Sequence, residues 1–335
     1  MTDQCGRAED NEGGATTSPR VAAVVVTYNR KALLRQCLVA LQSQTHPVAE
    51  IIVVDNASTD GTDSMLAQEF PAVTVHRLAT NRGGAGGFHE GMRRAAEREV
   101  DWIWVMDDDA EPRDDALAQL LKPAVRTEDE TVGLVPLRTN VQGRVQKGSA
   151  GWYNPFSMTY EWAGRPKKKV QRINYATFVG FMVRRSAVQT VGVPEAGFFI
   201  RGDDNEYTYR LSEVGNVYLV RSSVVVHHRA PDGKDGRPSL WERAVDERPI
   251  GSFWRQYYGL RNKILIARRH SEYRSQRWRG YIAAMEEVLR RSAAALLFDT
   301  HKRVRLTVLF RAFYHGVLGR RGKYLDPERF PSKYR

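Results

Sequence analysis

The sequence predicts an α/β fold: an open, twisted, mainly parallel sheet with flanking helices, followed by a basic helical extension. Three observations carry this. Apolar β-branched runs recur, each is followed by a helical stretch, and each ends in a polar cluster. The first run, VAAVVV at 21–26, ends in Thr27-Tyr28-Asn29-Arg30 and leads into KALLRQCLVALQSQ. The second, Ile51–Val54, ends in Asp55–Thr62 and leads into a short helix. The third, Trp102–Met106, ends in Asp107-Asp108-Asp109-Ala110-Glu111-Pro112 before a helix around Asp115–Leu121. Runs that are continuous rather than alternating indicate strands buried on both faces. Open parallel sheets bind ligands at the carboxyl ends of their strands, so the polar ends mark the candidate site.

Between the second and third strands stands Asn81-Arg82-Gly83-Gly84-Ala85-Gly86-Gly87-Phe88. A dinucleotide fingerprint would follow the first strand, where TYNR stands instead, and this disfavours a dehydrogenase. The glycines are expected to let backbone approach a ligand before a helix over His89–Arg98, a plain loop being the alternative.

Three consecutive carboxylates repel one another and call for a compensating cation. Hard oxygen ligands suit Mg²⁺ or Mn²⁺ held together with substrate phosphates. Alternation along an extended chain puts Asp107 and Asp109 on one side and Asp108 on the other. An acidic helix start is the competing account, and it fits Glu111, Asp114 and Asp115 better than the triplet. A second acidic group, Arg201-Gly202-Asp203-Asp204-Asn205-Glu206-Tyr207, precedes an expected helix at Tyr207–Val214. One of its carboxylates suits a general base, and N-capping is the alternative. Val224–Val226 then leads into His227-His228, candidates for a further metal ligand or simply surface histidines. The aromatic residues Trp152, Tyr153, Phe156, Tyr160 and Trp162 precede a strand-like ATFVGFMVRR at 176–185. Trp152, Tyr153, Trp162 and Phe181 are candidates to line the site of an acceptor ligand through their apolar faces, against the alternative of core packing.

The chain has 335 residues, 42% hydrophobic and 27% charged, which places it among globular proteins. Its net charge of +12 is unevenly placed: residues 251–335 hold 20 Lys and Arg against 6 Asp and Glu. Three helical stretches fill 251–318. Their basic, aromatic character suits a peripheral contact with an anionic membrane surface, a homo-oligomer face or a solvated surface. No apolar run approaches the roughly 18 residues that span a bilayer. The polar residues 1–19 are expected to be disordered and do not resemble a signal peptide. Residues 20–230 are expected to form the catalytic domain, 231–250 a mobile loop, and 251–335 the helical region. Two cysteines, Cys5 and Cys37, make no disulfide framework and lack thiol-metal spacing, and a reducing, cytoplasmic compartment is expected.

Taken together, VVVTYNR, VVDNASTDGT, NRGGAGGF, the Asp triplet, GDDNEY and the strand-end histidine resemble a family 2 glycosyltransferase of the GT-A fold. The resemblance runs from Val21 to His228. It implies that Thr27, Tyr28, Asn29, Asp55, Arg82, Gly83, Gly84, Asp107 and Asp108 face a UDP-sugar donor. Asp109, with Asp107 and His227 or His228, would hold Mn²⁺ or Mg²⁺. Asp204 would be the catalytic base, with Asp203 as the acidic residue before it. More narrowly, the chain is similar to galactofuranosyltransferases that begin cell-wall galactan. They move galactofuranose from UDP-galactofuranose to a polyprenyl-diphosphate-linked rhamnosyl-N-acetylglucosamine acceptor at the inner face of the plasma membrane. Rhamnosyltransferases share nearly all of these motifs. A reading of another class is a non-catalytic sugar-nucleotide-binding protein whose basic arm binds nucleic acid. No nucleic-acid-binding signature supports it, and nucleic acid is not an expected partner.

Overall fold

The computed structural model describes residues 18–122, 130–164, 168–228 and 250–330. The expected disordered N-terminus, apart from its last two residues, and the expected loop at 231–250, apart from Ile250, lie outside the described residues.

The chain opens with strand β1 (Val21–Thr27), helix α1 (Lys31–Gln42), β2 (Glu50–Asp55), α2 (Thr62–Glu69), β3 (Thr74–Arg77) and α3 (Gly83–Ala96). It continues with β4 (Trp102–Asp107), β5 (Ala110–Pro112), α4 (Ala116–Leu120) and β6 (Thr131–Thr139). Three short strands, β7 (Ala150–Asn154), β8 (Thr159–Trp162) and β9 (Val170–Ile173), lead to β10 (Tyr175–Ala176) and β11 (Val179–Arg184). Helix α5 (Arg185–Val191), α6 (Asp203–Ser212) and the long strand β12 (Asn216–His227) complete the sheet-bearing part. Helices α7 (Trp254–Arg269), α8 (Arg274–Phe298) and α9 (Lys302–Val317) form the C-terminal part.

The main sheet runs in the order β3-β2-β1-β4-β11-β6-β12-β5, with β9 paired to the first half of β12. The first four are parallel, β11 is antiparallel to both β4 and β6, and β12 returns parallel to β6. Every residue of β1 is buried, because α1 and α3 cover opposite faces and apolar side chains fill both layers. A smaller sheet, β10-β7-β8, stands beside the main one.

Register explains why the strand ends converge. Thr27 lies opposite Asp55, and Val26 lies opposite Asp107, so the polar ends of β1, β2 and β4 are level. At the far edge β5 pairs with the end of β12, setting His227 opposite Ala110. Antiparallel pairing thereby carries a histidine to the residue that follows the acidic triplet.

Two helices start earlier than their sequence patterns suggest. The expected His89–Arg98 helix is α3, and it begins at Gly83, so the glycines are helical rather than a preceding loop. Gly87 and Gly91 face β1, where an added Cβ would come within 2.4 Å of Val26 and Val24 side chains. Small residues let the helix lie directly on the strand. The expected Tyr207–Val214 helix is α6, which starts at Asp203 and carries both aspartates in its first turn. There their charge complements the positive end of the helix dipole.

The C-terminal helices enclose their own apolar core, including Tyr257, Ile264, Ala284, Val288, Val308 and Leu309. They are tied to the sheet-bearing part by Glu206 of α6. This fully buried carboxylate meets Arg210 at 3.0 Å, Arg269 at 3.2 Å and His270 at 3.2 Å. Glu206 therefore anchors the fold, and these cations outweigh the effect of burial and hold its pKa at about 2.

Candidate active site

The loops after β1 and β2 are knitted together by short polar side chains. Asn29, in a left-handed conformation (φ 52°), donates its amide to Ser58 Oγ and accepts from the Thr59 amide through Oδ1. Asp60 accepts the Lys31 amide at the start of α1. Asp55 accepts the Ser58 amide at 2.8 Å through Oδ1. Its other oxygen, Oδ2, is buried without a hydrogen bond among the described residues, Arg77 Nε standing 3.7 Å away. A buried carboxylate oxygen left without a donor is costly to maintain, and it suits a ligand N–H.

The donor-loop residues assemble beside it. Asn56 donates to the Gly83 carbonyl and accepts the Arg82 amide, so the end of β2 holds the start of α3. Gly83 has φ +73°, and an added Cβ would stand 2.0 Å from the Phe199 carbonyl oxygen. Gly84, by contrast, has open space where a Cβ would go. The Tyr28 hydroxyl donates to Glu328, which brings the segment after α9 onto the same edge.

The acidic triplet is arranged differently from the expected alternation. The chain turns at Asp108 and Asp109 between β4 and β5, so both carboxylates reach one guanidinium: Arg30 lies 3.2 Å from Asp108 Oδ1 and 2.8 Å from Asp109 Oδ2. Thr27 Oγ1 also donates to Asp108. Burial pushes Asp108 up to about 6 despite these partners. Burial also pushes the Asp107 carboxyl upward, and the charges of Asp109, Asp108 and Asp203 add to it. For Asp109 burial acts upward too, but His227 and Arg30 outweigh it and keep the group below the usual carboxylate range. Arg30 thus supplies part of the compensating charge, a role invisible in the spacing of the acids.

Asp109 Oδ1 and His227 Nε2 face each other at 3.3 Å, and Oδ1 makes no hydrogen bond among the described residues. His227 Nδ1 lies 2.9 Å from Gln146 Oε1, which orients the ring with Nε2 toward Asp109. An oxygen and a nitrogen so placed fit two positions of a divalent cation. Among the described residues no three His, Cys, Asp or Glu side chains gather as a ready metal cage. A cation here would take its remaining ligands from water and a diphosphate, as Mg²⁺-type sites commonly do. His228 is not part of this arrangement. Neighbouring strand residues face opposite ways, and its Nε2 is bonded to Glu111 instead.

Asp203 and Asp204 stand next to this cluster, close enough for the charge of Asp203 to raise Asp107. Burial, reinforced by Asp204, pushes Asp203 up to about 8. Asp204, the more exposed of the two, is raised by burial to about 6 while Arg138 pulls it down. Burial and mutual repulsion together disfavour ionising both carboxyls of the pair at once.

The aromatic candidates separate. Phe181 is fully buried between β4 and β6, in ring contact with Phe178, and has no surface to offer a sugar. An inward position on a central strand decided this. Trp152 and Tyr153 line a cleft of about 550 Å³ beside the small sheet, together with Tyr160 and Tyr209. Trp162 is exposed outside that lining. Tyr160 stacks on Tyr153 at 4.5 Å and accepts a hydrogen bond from Asn205, next to Asp204.

An open, mainly parallel sheet with polar strand ends, an acidic turn and an acidic helix start is the GT-A glycosyltransferase architecture. The sequence matches the Glycosyl transferase family 2 model over residues 22–192, and the chain belongs to that family. It is 30% identical to galactofuranosyltransferase GlfT1 of Mycolicibacterium smegmatis over 201 residues, covering 58% of this chain and 66% of that protein. The match thus spans just under two thirds of that relative. An N-acetylglucosaminyl-diphospho-decaprenol L-rhamnosyltransferase of Mycobacterium tuberculosis is 26% identical over 234 residues, covering 62% of this chain and 75% of that protein. In three dimensions the chain resembles GalNAc-T7 crystallised with UDP, GalNAc and Mn²⁺, with TM-score 0.53 and 17% identity over 84% of this chain and 58% of that one.

Proposed function

We propose that this chain is a metal-dependent, inverting glycosyltransferase. It would move galactofuranose from UDP-galactofuranose to a polyprenyl-diphosphate-linked rhamnosyl-N-acetylglucosamine acceptor in cell-wall galactan synthesis. The observation that supports this is the Asp109–His227 pair at the ends of β4 and β12, with Asp203 of α6 near enough for its charge to raise the neighbouring Asp107. The GlfT1 relative supports the galactofuranose assignment.

Asp55 Oδ2 is the acceptor for a base or ribose donor group, with the Asn56-held start of α3 beside it. Asp109 and His227 would hold Mn²⁺ or Mg²⁺, which neutralises a departing nucleoside diphosphate. Asp204 accepts a proton from the acceptor hydroxyl as that oxygen attacks the anomeric carbon opposite the leaving group. Inversion follows from this single displacement, with Asp204 as base.

A lipid-linked acceptor places the enzyme at a membrane surface. Helix α8 buries Ala284 and Val288 on one face and leaves Trp278, Ile282, Leu289 and Leu296 exposed on the opposite one, among arginines. That stripe supports peripheral contact with anionic lipid. No helix among the described residues is long and apolar enough to cross a membrane.

The decisive experiment is a screen of UDP- and dTDP-sugars with Mn²⁺ and a lipid-linked acceptor analogue. Transfer from UDP-galactofuranose alone supports the proposal. Transfer from dTDP-rhamnose would favour the second reading, a rhamnosyltransferase, which the mycobacterial rhamnosyltransferase relative motivates.

A further inference from the structure

The segment that joins the 3-10 turn Ala196–Phe198 to α6 is held in an unusual shape. Phe199 (φ 65°) and Arg201 (φ 64°) are non-glycine residues in the left-handed region, followed by Gly202 (φ 86°). Such conformations are strained for non-glycine residues and persist only where surrounding groups impose them. At one end this segment touches the donor loop: the Phe199 carbonyl accepts the Ala85 amide at 3.2 Å. At the other end it becomes the first turn of α6, which carries Asp203 and Asp204.

What imposes the shape is a pair of consecutive, fully buried polar residues on α7. The Asn262 amide nitrogen lies 3.0 Å from the Phe198 carbonyl oxygen, 3.0 Å from that of Ile200 and 2.6 Å from that of Arg201. Arg261 donates Nε–H to Asn262 Oδ1 at 2.9 Å, which fixes the direction in which the amide points. Its other nitrogens bond the carbonyls of Gly197, Phe198 and Gly322, and the guanidinium lies against the rings of Tyr257 and Tyr258. A helix in the C-terminal part thus collects the carbonyls of a loop belonging to the site.

We infer that Asn262, oriented by Arg261, is a positioning residue: it holds the Phe198–Gly202 loop in the strained form that sets Asp204 against the donor site. This rests on the reading of Asp204 as the base. The C-terminal helices are on this account a structural part of the catalytic centre, and not only a membrane or oligomer surface.

The test compares Asn262→Ala and the isosteric Asn262→Asp with Val308→Ala, which opens a cavity in the same helical core but removes no hydrogen bond to the loop. Two readouts are taken. In ligand-free protein, hydrogen exchange over residues 198–204 should speed up roughly tenfold or more in both Asn262 variants and stay at the wild-type rate in Val308→Ala. With donor, Mn²⁺ and acceptor, kcat should fall about 100-fold in the Asn262 variants with donor KM within about threefold, since a small misplacement of a catalytic group acts on turnover. Val308→Ala should lose thermal stability yet keep kcat within about twofold, a loss that here reports packing alone. Unchanged exchange in the loop would overturn the inference. So would a fall in kcat that merely tracks lost stability across all three variants. If the wild-type protein transfers no sugar, the proposed reaction fails, while the exchange measurement still decides whether Asn262 holds the loop.

Discussion

His227 Nε2 and Asp109 Oδ1 stand 3.3 Å apart across a gap that neither fills with a hydrogen bond, while Gln146 fixes the imidazole from behind. A carboxylate oxygen and an imidazole nitrogen held this way suit a shared cation. UDP binding should therefore tighten on adding Mn²⁺. Asp109→Ala should abolish that dependence, and His227→Ala should weaken it by about tenfold or more, the scale on which losing one ligand or its support acts. Calorimetric titration with and without Mn²⁺ checks this, and equal affinity in both conditions for the wild-type chain would contradict the site. Gln146→Ala should give a smaller loss in the same direction.

Asp204→Ala should lower kcat by about 10²–10⁴-fold, the usual contribution of a general base, with UDP-sugar affinity nearly unchanged. The ionised form is the active one, and its carboxyl is raised to about 6 by burial. The rate should thus climb as pH passes through about 6 and level off above it. A profile flat from pH 5 to 7 would remove Asp204 from that role.

Asp203 makes an opposite statement about stability. Its folded-state value, about 8, lies above the ordinary range for an unfolded chain, near 4. Its stabilising contribution is therefore complete below about pH 4 and is lost progressively as pH rises toward 8. Asp203→Asn should show a melting temperature close to wild type at pH 4 and above it at pH 8, measured by thermal scans across that window. A constant difference at all pH values would show that the shift is not felt.

The two adjacent glycines of the donor loop should respond differently. Gly83→Ala forces a side chain into the left-handed region and against the Phe199 carbonyl, a cost of about 1–3 kcal/mol for the backbone conformation alone. Gly84→Ala meets open space. Chemical denaturation and donor titration should show the first variant impaired in both and the second close to wild type.

Exposed Trp278 and Leu289 on α8 give the membrane proposal its own test. Replacing both with Glu should reduce sedimentation with phosphatidylglycerol vesicles by roughly tenfold or more, as expected when two large apolar contacts are lost. Transfer to a soluble acceptor analogue should persist.

Much of this was legible in the residues. Continuous runs such as VAAVVV and WIWVM announce buried parallel strands because no alternation is needed when helices cover both faces. The polar ends then identify the binding edge. Helix starts were harder. Glycines and aspartates read as loop or cap, yet Gly83 and Asp203 each begin a helix, because the neighbouring strand and the helix dipole favour helical geometry there. Phe181 shows the same limit, since an aromatic residue near a candidate site cannot be told from a core residue until the sheet order is known.

The amino-acid order alone determined the succession of strands and helices, the chemistry of the strand ends and the family they belong to, since these depend on neighbours a few residues apart. Only the tertiary structure decided which partners meet. Pairing of β5 with β12 brought His227, not His228, to face Asp109, and the turn after β4 gave Arg30 both Asp108 and Asp109. Packing of α7 against the site placed Asn262 on three carbonyls of a strained loop. Each of these joins groups far apart along the chain, and the burial and register that bring them together leave no local pattern for the sequence to display.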